Sequence, residues 1–398
     1  MPSRSKRLDL APPYVFTELA RMTAQINAEG GQVIDLGVGD PDAPTPVGIR
    51  EALKRAVDNP STHHYDLTPR GWPPFLTAAT DWYEREFGVR LNPSTEAVQA
   101  IGSKEALAHL VWAYVDPGDV VILPNPAYSV YRVNTLFAGG TPYEYPVRPE
   151  TGYLPDLAAI PSEVAKRAKL FFTCYPHNPT GAVAPRAFYE DLVAFCRTYD
   201  ILIASDMAYA TVAYDGFKPP SVLQVAGAKE VAIEFHSLSK MFQMTGWRLG
   251  FALGSEDATA NLQRLKTNID TKAFAAIADA GAWALRNEDP RAIIPLYQAR
   301  RDALCNGLAR IGWPVEAPKA AFYVWARIPS RGWTSFEFSR ELLRRAQVMV
   351  TPGDSYGSEG EGFVRFSLTL AGDRGGELFD EAVKRIASSG LVADKVTI

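Results

Sequence analysis

The sequence predicts an α/β protein whose larger part is a mainly parallel sheet covered by helices. Short apolar runs of strand length recur along the chain, end in polar turns, and are separated by segments with helical periodicity. This alternation, repeated over residues 45–270, is typical of parallel sheets with helices on their faces. At 398 residues the chain is too long for one simple core. We therefore expect an N-terminal arm that joins the smaller domain (1–44), a large domain (45–275) and a smaller α/β C-terminal domain (276–398).

Hydrophobic patterning predicts the individual elements. Continuous apolar runs mark buried strands, and apolar side chains at three- and four-residue spacing mark helices. The predicted strands are 33–36, 98–101, 120–123, 170–174, 201–204, 231–235, 322–326 and 363–368. The predicted helices are 16–28, 46–58, 185–199, 262–286, 295–310 and 335–346, and a further helix opens at Ser103.

Composition excludes several classes of function. The chain carries 41 Lys and Arg residues against 45 Asp and Glu, a net charge of −4, so no general basic field attracts nucleic acid. No uninterrupted run of about 18 apolar residues occurs, and no signal-peptide pattern opens the chain. We therefore expect a cytoplasmic protein with no membrane segment, whose partners are small molecules or other proteins.

The spacing of cysteine and histidine argues against a metal site. The three cysteines are widely separated and odd in number, which fits neither a disulfide framework nor a CxxC metal site. The five histidines also lack the spacing of metal ligands. We expect reduced thiols and no bound metal ion.

Two glycine turns are candidate ligand-binding segments. The first, GVGDPDAPTP, follows strand 33–36 and lets the backbone approach a ligand, although an ordinary turn has the same composition. At the second, Gly102 precedes Ser103 and Lys104, which open a helix whose free amides and positive dipole end can bind phosphate. The alternative for Ser103 is a plain helix cap. The Walker sequence GxxxxGK[ST] is absent, which disfavours a P-loop nucleotidase.

Polar and aromatic residues follow the next three strands. Tyr128 comes after strand 120–123, where its ring can stack on a flat heterocycle or pack in the core. Asn178 lies in the constrained turn YPHNPTG, where its amide can point at a phenolate oxygen or a carboxylate. Asp206 follows strand 201–204, at the edge where ligands gather in open α/β sheets, and Tyr209 comes three residues later. The alternative for Asp206 is a cap of the next turn.

The segment 236–250, HSLSKMFQMTGWRLG, places Lys240 between two serines and Arg248. Partial burial near another cation lowers the pKa of a lysine amine, which then forms a Schiff base with an aldehyde. Pyridoxal phosphate carries both an aldehyde and a phosphate, so the lysine, the serines and the arginine together suit it. A carboxylate such as Asp206 beneath the pyridine nitrogen would keep that nitrogen protonated. An exposed loop lysine is the alternative.

Two arginine positions complete the candidate residues. Arg365 lies among apolar neighbours in strand 363–368, a costly place for a guanidinium without an anionic partner. Its planar fork suits a carboxylate, with a structural ion pair as the alternative. The pair Arg300–Arg301 in helix 295–310 is interpreted as part of a solvated face.

The run SLSKMFQMTGWRLG resembles the cofactor-lysine signature of class I/II aminotransferases, pyridoxal-phosphate enzymes of fold type I, and the resemblance extends from Tyr14 to Thr369. It implies a mainly parallel seven-stranded sheet in the large domain, catalysis by Lys240, and a homodimer with shared active sites. The cofactor-binding residues that it implies are Ser103, Lys104, Tyr128, Asn178, Asp206, Tyr209, Ser237, Ser239, Arg248 and Tyr65, the last reaching across the dimer interface. The substrate-binding residues that it implies are Gly39, Asn178, Arg365 and Tyr14. Where the family pattern has a second asparagine this chain has His177, whose relation to the pocket stays open.

Within that family, the passages GSKEALAHL and EFHSLSKMFQMTGWRLG resemble LL-diaminopimelate aminotransferases, which use glutamate and 2-oxoglutarate as the amino donor couple. Ala106, Met207 and the segment 70–74 depart from that pattern and leave the distal side-chain specificity open. The expected reaction is ping-pong transfer of an amino group between an amino acid and a 2-oxo acid. The alternatives are a general aspartate, alanine or aromatic aminotransferase, and a pyridoxal-phosphate-dependent C–S β-lyase. A regulatory sensor is disfavoured because no basic helix-turn-helix extension is present.

Overall fold

A computed structural model describes residues 2–10, 16–65 and 67–392. The strands are β1 (Ile34–Asp35), β2 (Ala97–Ala100), β3 (Val120–Asn125), β4 (Thr141–Pro146), β5 (Ala168–Cys174), β6 (Leu202–Asp206), β7 (Ala232–Ser237), β8 (Gly250–Gly254), β9 (Tyr323–Arg327), β10 (Val348–Met349), β11 (Thr351–Pro352) and β12 (Phe363–Ser367). The helices are α1 (Phe16–Ala28), α2 (Val47–Val57), α3 (Pro73–Phe87), α4 (Ser103–Tyr114), α5 (Val130–Phe137), α6 (Ser162–Ala165), α7 (Arg186–Tyr199), α8 (Ala228–Val231), α9 (Leu238–Met241), α10 (Glu256–Thr267), α11 (Ala275–Asn287), α12 (Ile294–Arg310), α13 (Ser335–Ala346) and α14 (Glu377–Ser388). The predicted strands and most predicted helices are confirmed to within a few residues.

The central sheet has seven strands in the order β2-β8-β7-β6-β5-β3-β4. All of its pairings are parallel except those of β8, which runs antiparallel to both β2 and β7. The predicted α/β class and the mainly parallel seven-stranded sheet are therefore confirmed. The reversal at β8 places the chain just before that strand beside the carboxyl ends of the parallel strands, where ligands bind in such sheets.

Helices cover both faces of this sheet. Successive residues of each strand point alternately to the two faces, so one strand can contribute to two cores. In β5, Phe171 packs in one core with α3, α7 and α11, whereas Leu170 and Phe172 pack in a second core with α4 and α10. A third core joins α12, α13 and α14 to the antiparallel sheet β11-β12-β9 and to β1, which pairs with β10. Ile34 and Leu36, close to the N-terminus, thus pack in this third core.

The predicted long helix over 262–286 is wrong, because α10 ends at Thr267 and α11 begins at Ala275. Thr271 has φ +60° and donates its backbone N–H to the carbonyl of Lys266, a left-handed turn of the kind that ends helices. No glycine or proline marks this turn in the sequence. The turn is held instead by the ammonium of Lys266, which lies 3.1 Å from Asp270 Oδ1 and 2.8 Å from Glu105 Oε1.

The packing of α11 bears on the boundary expected at residue 275. This helix packs on α2 and α3 in the core of the central sheet, whereas α12 packs with α14 in the third core. We propose that the boundary lies between these two helices, near residue 290.

Replacing Lys266 with methionine should lower the free energy of unfolding by about 3 kcal/mol, because two carboxylates would lose their buried cationic partner. Urea denaturation measures this loss. The matched control is Lys54→Met, which removes the exposed Lys54–Glu51 pair and should change stability by less than about 0.5 kcal/mol. Equal effects of the two substitutions would contradict a structural role for the buried pair.

The interpretation of Arg300 and Arg301 as a solvated face is also wrong. Arg300 has no exposed surface and Arg301 is 6% exposed. Both guanidinium groups pair with carboxylates, Arg300 with Asp42 and Asp373, and Arg301 with Asp215. Burial of these arginines therefore follows from acidic partners that lie far away in the sequence.

Candidate active site

A cavity of about 690 Å³ opens at the carboxyl ends of the central parallel strands. Its wall contains most of the residues predicted to bind a cofactor or substrate. These are Gly39, Ser103, Lys104, Tyr128, Asn178, Asp206, Tyr209, Ser237, Ser239, Lys240, Arg248 and Arg365. The strands that end at this edge explain why residues spread over more than half of the chain meet here.

Lys240 lies in the short helix α9, which follows β7 directly, and its amine is the candidate nucleophile. Its Nζ donates a hydrogen bond to the carbonyl of Gly39 at 3.1 Å and lies 5.4 Å from the centre of the Phe322 ring. Burial lowers the pKa of the Lys240 amine to about 8, opposed by Asp40 and aided by Arg248 and Arg365. A substantial fraction of this amine is therefore neutral near physiological pH, as covalent chemistry requires.

One end of the cavity is built to hold an anion. The free amides at the start of α4 point toward it, together with the side chains of Ser103 and Lys104. Arg248, with φ +56°, donates to Ser239 Oγ at 3.4 Å. Gly102 has φ +79°, and a Cβ there would lie 2.5 Å from Arg248 Nη2. Glycine is thus needed for the guanidinium to lie against the helix start.

At the opposite end, Asp206 ends β6 and is almost fully buried. Its Oδ2 accepts a hydrogen bond from the Tyr131 hydroxyl at 2.6 Å, and Oδ1 accepts one from the backbone N–H of Ala208 at 3.2 Å. Burial raises the pKa of the Asp206 carboxyl, against the effect of these hydrogen bonds. Its direct donors are neutral, so a cationic ligand nitrogen would favour the charged carboxylate.

Tyrosine side chains form the walls between these two ends. The Tyr209 hydroxyl lies 2.9 Å from that of Tyr323, a residue of β9. Tyr128 lines the cavity and makes an edge-on contact with Tyr131, their ring centres 5.9 Å apart. Tyr131 in turn stacks on Phe172 at 4.7 Å. These walls of the cavity are therefore held in place by aromatic packing as well as by hydrogen bonds.

Arg365 lies in the cavity wall, in the middle of β12. It is 4% exposed, and it donates to Asn178 Oδ1 at 2.9 Å and to the carbonyl of Gly37 at 2.8 Å. Its guanidinium stacks on the Tyr323 ring at 3.9 Å. Its buried Nε has no hydrogen-bond partner within the described parts of the chain. A Cβ on Gly39 would collide with the Tyr323 hydroxyl, so only glycine fits beside this tyrosine.

One predicted residue, Tyr65, does not line the cavity of this chain. The Tyr65 side chain is 91% exposed and borders a separate surface pocket. Tyr14 lies outside the described residues.

His177 also lies away from the cavity. It is buried behind Asn178, its Nδ1 is 2.8 Å from Thr180 Oγ1, and burial lowers its pKa to about 3. A neutral ring in this position supports the turn that carries Asn178.

Sequence reasoning missed several residues of the cavity wall. Tyr131 and Tyr323 hydrogen-bond to predicted residues, and Asp40, Asn134 and Tyr356 also line the cavity. Tyr131 belongs to the run PNPAYSVY and lies three residues after Tyr128. The sequence could therefore have indicated it as a second tyrosine of the same site. Tyr323 and Tyr356 carry no such signal, because Tyr323 lies within an apolar run and Tyr356 comes just before a glycine-rich one.

The expectation that no metal site exists overlooked one arrangement of side chains. Glu105, His109 and Asp270 bring possible ligand atoms within 4.8 Å of one another, in the part of the chain that is described. The ammonium of Lys266 pairs with both carboxylates, Glu105 and Asp270, and supplies the positive charge that a metal ion would otherwise provide.

No helix in the described ranges is long and apolar enough to cross a bilayer.

Comparison with known proteins assigns the chain to a family. The model for "Aminotransferase class I and II" matches residues 31–386. The chain belongs to the class I and II aminotransferases. It is 47% identical to LL-diaminopimelate aminotransferase 2 of Nostoc sp. (strain PCC 7120) over 97% of this chain and 98% of that one. It is 48% identical to LL-diaminopimelate aminotransferase of Syntrophobacter fumaroxidans, over 96% and 98%.

Solved aminotransferase structures share the whole fold. A substrate-bound BacF structure from Bacillus subtilis superposes with a TM-score of 0.92 at 38% identity, covering 97% of this chain and 98% of that one. A double mutant of Thermus thermophilus aspartate aminotransferase superposes with a TM-score of 0.89 at 29% identity, covering 98% and 100%. The protein is therefore an enzyme, a transaminase that acts on amino acids and 2-oxo acids with pyridoxal phosphate.

The cavity of this aminotransferase fits that cofactor. The glycine at 102 leaves space for Arg248 beside the start of α4, which gives a phosphate both backbone and cationic donors. The buried Asp206 carboxylate, with neutral donors, suits a protonated ring nitrogen at the other end. Lys240 lies between these two ends with a lowered pKa. Each part of a bound cofactor would thus meet side chains of suitable chemistry.

Proposed function

We propose that this aminotransferase moves the amino group of LL-diaminopimelate, with glutamate and 2-oxoglutarate as the other amino donor and acceptor pair. The observation that carries this proposal is near-full-length identity of 46–48% to relatives named LL-diaminopimelate aminotransferase in several organisms. A cavity of about 690 Å³ also has room for a seven-carbon diamino dicarboxylic acid beside the cofactor.

We assign the binding of the substrate α-carboxylate to Arg365. Its planar guanidinium matches a carboxylate, and its buried Nε points to an unfilled hydrogen-bonding capacity in the described structure. Asn178 supports this arginine through its Oδ1, and the backbone around Gly39 borders the same space. A substrate held here would place its α-carbon toward Lys240 on the other side of the cavity.

We assign proton transfer at the substrate α-carbon to Lys240. Pyridoxal phosphate, when bound, supplies an aldehyde that takes up the amino group and a ring that accepts electrons. The Lys240 amine, with a pKa of about 8, can both take and return a proton near neutral pH. Asp206 would hold the ring nitrogen protonated, and Tyr209 would donate a hydrogen bond to the phenolate oxygen. Asn178, Asp206 and Tyr209 are buried, so a bound substrate and cofactor would leave little room for water at the reacting carbon.

Replacing Arg365 with lysine should raise the KM for the amino acid by about 10- to 100-fold, because a point charge cannot make the paired hydrogen bonds of the guanidinium. Steady-state kinetics with LL-diaminopimelate and with glutamate measures this change. The control Arg327→Lys alters an arginine of β9 that does not line the cavity, and its KM should stay at the wild-type value. An unchanged KM in the Arg365 variant would contradict the assigned carboxylate site.

A donor panel tests the substrate. Purified enzyme with pyridoxal phosphate and 2-oxoglutarate is supplied in turn with LL-diaminopimelate, aspartate, alanine and phenylalanine, and glutamate formation is measured. We expect the highest kcat/KM with LL-diaminopimelate. A higher value with any other donor would point to a general aminotransferase, and release of ammonia with pyruvate from cystathionine would point to the β-lyase alternative.

We further propose that the enzyme is a homodimer with shared active sites. Four large apolar side chains, Tyr65, Leu67, Ile269 and Phe274, are between 43% and 91% exposed on neighbouring segments, which is unusual unless a partner covers them. In such a dimer Tyr65 would reach the partner's phosphate, and the arm with Tyr14 its substrate site. Sedimentation should give twice the mass of one chain, and Leu67→Glu should shift it toward the monomer.

A cytoplasmic location is part of the same proposal. Cys174, Cys196 and Cys305 are free and buried thiols, the state that a reducing compartment maintains. Fractionation of the producing cells tests this placement.

A further inference from the structure

We infer that Arg300 is a positioning residue for the substrate site: through its pairing with Asp42 it fixes the loop of residues 37–42, whose carbonyls anchor Arg365 and Lys240. This inference rests on the proposed binding of the substrate carboxylate by Arg365. Arg300 itself does not line the cavity, so it acts through the loop.

All the hydrogen-bonding capacity of Arg300 is used. Nη1 and Nη2 donate to the two oxygens of Asp42 at 2.8 and 2.9 Å, a paired geometry that fixes the orientation of both groups. Nε donates to Asp373 Oδ1 at 3.0 Å. The remaining bonds go to the backbone carbonyls of Leu368, Leu370 and Asp373. One side chain thus ties the 37–42 loop to the segment that follows β12.

The same loop is attached to β12 and β11 along its first half. Ser367 N–H donates to the carbonyl of Leu36, and Thr369 Oγ1 donates to that of Val38 at 2.9 Å. Thr351 Oγ1 donates to the carbonyl of Gly37 at 2.9 Å. These bonds hold the start of the loop, whereas Arg300 holds its end at Asp42. The three residues between, including Gly39, are fixed from both sides.

Two side chains of the active site are hydrogen-bonded to this loop. The carbonyl of Gly37 accepts from Arg365 Nη2 at 2.8 Å, and that of Gly39 accepts from Lys240 Nζ at 3.1 Å. A shift of the loop would therefore move both the carboxylate-binding arginine and the reacting amine. A displacement near 1 Å costs as much as about 100-fold in rate when it misplaces reacting groups.

The fully buried guanidinium also explains why the loop cannot relax freely. A buried charge requires its partners, and Asp42 and Asp373 are both 10% exposed or less at their side chains. Asp373 differs from Asp42 in its second role, since its carboxylate caps the start of α14 through the N–H groups of Gly376 and Leu378. Substituting Asp42 therefore disturbs the loop, whereas substituting Asp373 disturbs the start of α14 and not the loop.

The experiment compares Asp42→Asn with Asp373→Asn in the full-length enzyme loaded with pyridoxal phosphate. Each variant removes one of the two negative charges that pair with the Arg300 guanidinium, so both should lower the melting temperature. We expect Asp42→Asn to raise the KM for L-glutamate at least about 10-fold, with a dissociation constant for pyridoxal phosphate within about 2-fold of wild type. Asp373→Asn should leave the KM within about 2-fold.

Two further variants protect the test against misfolding. Thr369→Val removes one bond to the loop without disturbing a buried charge, and it should raise the same KM by several fold. Asp42→Glu keeps the charge and should recover part of the loss seen in Asp42→Asn. Equal KM values in the Asp42 and Asp373 variants, or an unchanged KM in Thr369→Val, would overturn the inference. Arg365→Lys measured in parallel separates failures: if it leaves the KM unchanged, the proposed carboxylate site itself is at fault.

Discussion

Replacing Lys240 with alanine is expected to abolish transamination, with a fall in kcat of at least about 10⁴-fold, because one amine supplies both the covalent link to the cofactor and the proton transfer. The visible absorption band of enzyme-bound pyridoxal phosphate should disappear in the same variant. Absorption spectra and single-turnover kinetics with glutamate measure the two effects. Cofactor retained only by its phosphate would dialyse away more easily.

The matched control for Lys240 is arginine, which keeps the positive charge but stays protonated at any accessible pH. It should be as inactive as alanine, because the neutral amine is the reacting form. Activity within about 10-fold of wild type in either variant would refute the role of Lys240.

The lowered pKa of Lys240 predicts a pH dependence as well. Because burial brings this pKa to about 8, the neutral fraction of the amine rises about tenfold per pH unit below that value and then levels off. The rate at which the apoprotein takes up pyridoxal phosphate should follow the same curve. A rate that keeps rising to pH 10 would show an amine with the pKa of an ordinary exposed lysine.

The second large effect is expected at Asp206, where asparagine should lower kcat by about 10²- to 10³-fold. The substitution keeps the shape of the side chain but removes the charge that stabilises a protonated ring nitrogen, a loss typical of a preorganised electrostatic group. Steady-state kinetics measures the fall.

Tyr131→Phe is the matched control for Asp206. It removes only the hydroxyl that donates to Asp206 at 2.6 Å and should cost less than about 10-fold. If the asparagine variant were no slower than the phenylalanine variant, the charge of Asp206 would have no part in the reaction.

The sequence was sufficient to bring most of the predicted cofactor-binding residues to one edge of the sheet, because several of them follow a buried strand. Asp206 closes the run 201–204, and Lys240 comes just after the run 231–235, so parallel pairing alone brings them to one edge. Gly102 marks the helix start that lies beside them. The chemistry of each residue type then limited the role it could have, and the resemblance to the family assigned the individual roles.

What the sequence could not predict depends on partners that are distant along the chain. Arg300 was interpreted as exposed because charged residues in a helix usually are, and its burial requires Asp42, 258 residues away, and Asp373, 73 residues away. The turn after α10 was missed because it contains no glycine or proline. Its shape depends instead on the buried Lys266 and its two acidic partners. Tyr323 reads as an ordinary strand aromatic until β9 is placed beside Tyr209.

The pairing of β2 has a consequence for synthesis of the chain. This strand lies at the edge of the central sheet, and its ladder partner in the described structure is β8, roughly 150 residues later. At ribosomal speeds of about 5 to 20 residues per second, β2 waits on the order of 8 to 30 s for that partner. The end of the cavity proposed to hold the phosphate, with Gly102 just after β2 and Arg248 just before β8, therefore forms only once both have emerged. Nascent chains that stop before residue 250 should bind no cofactor.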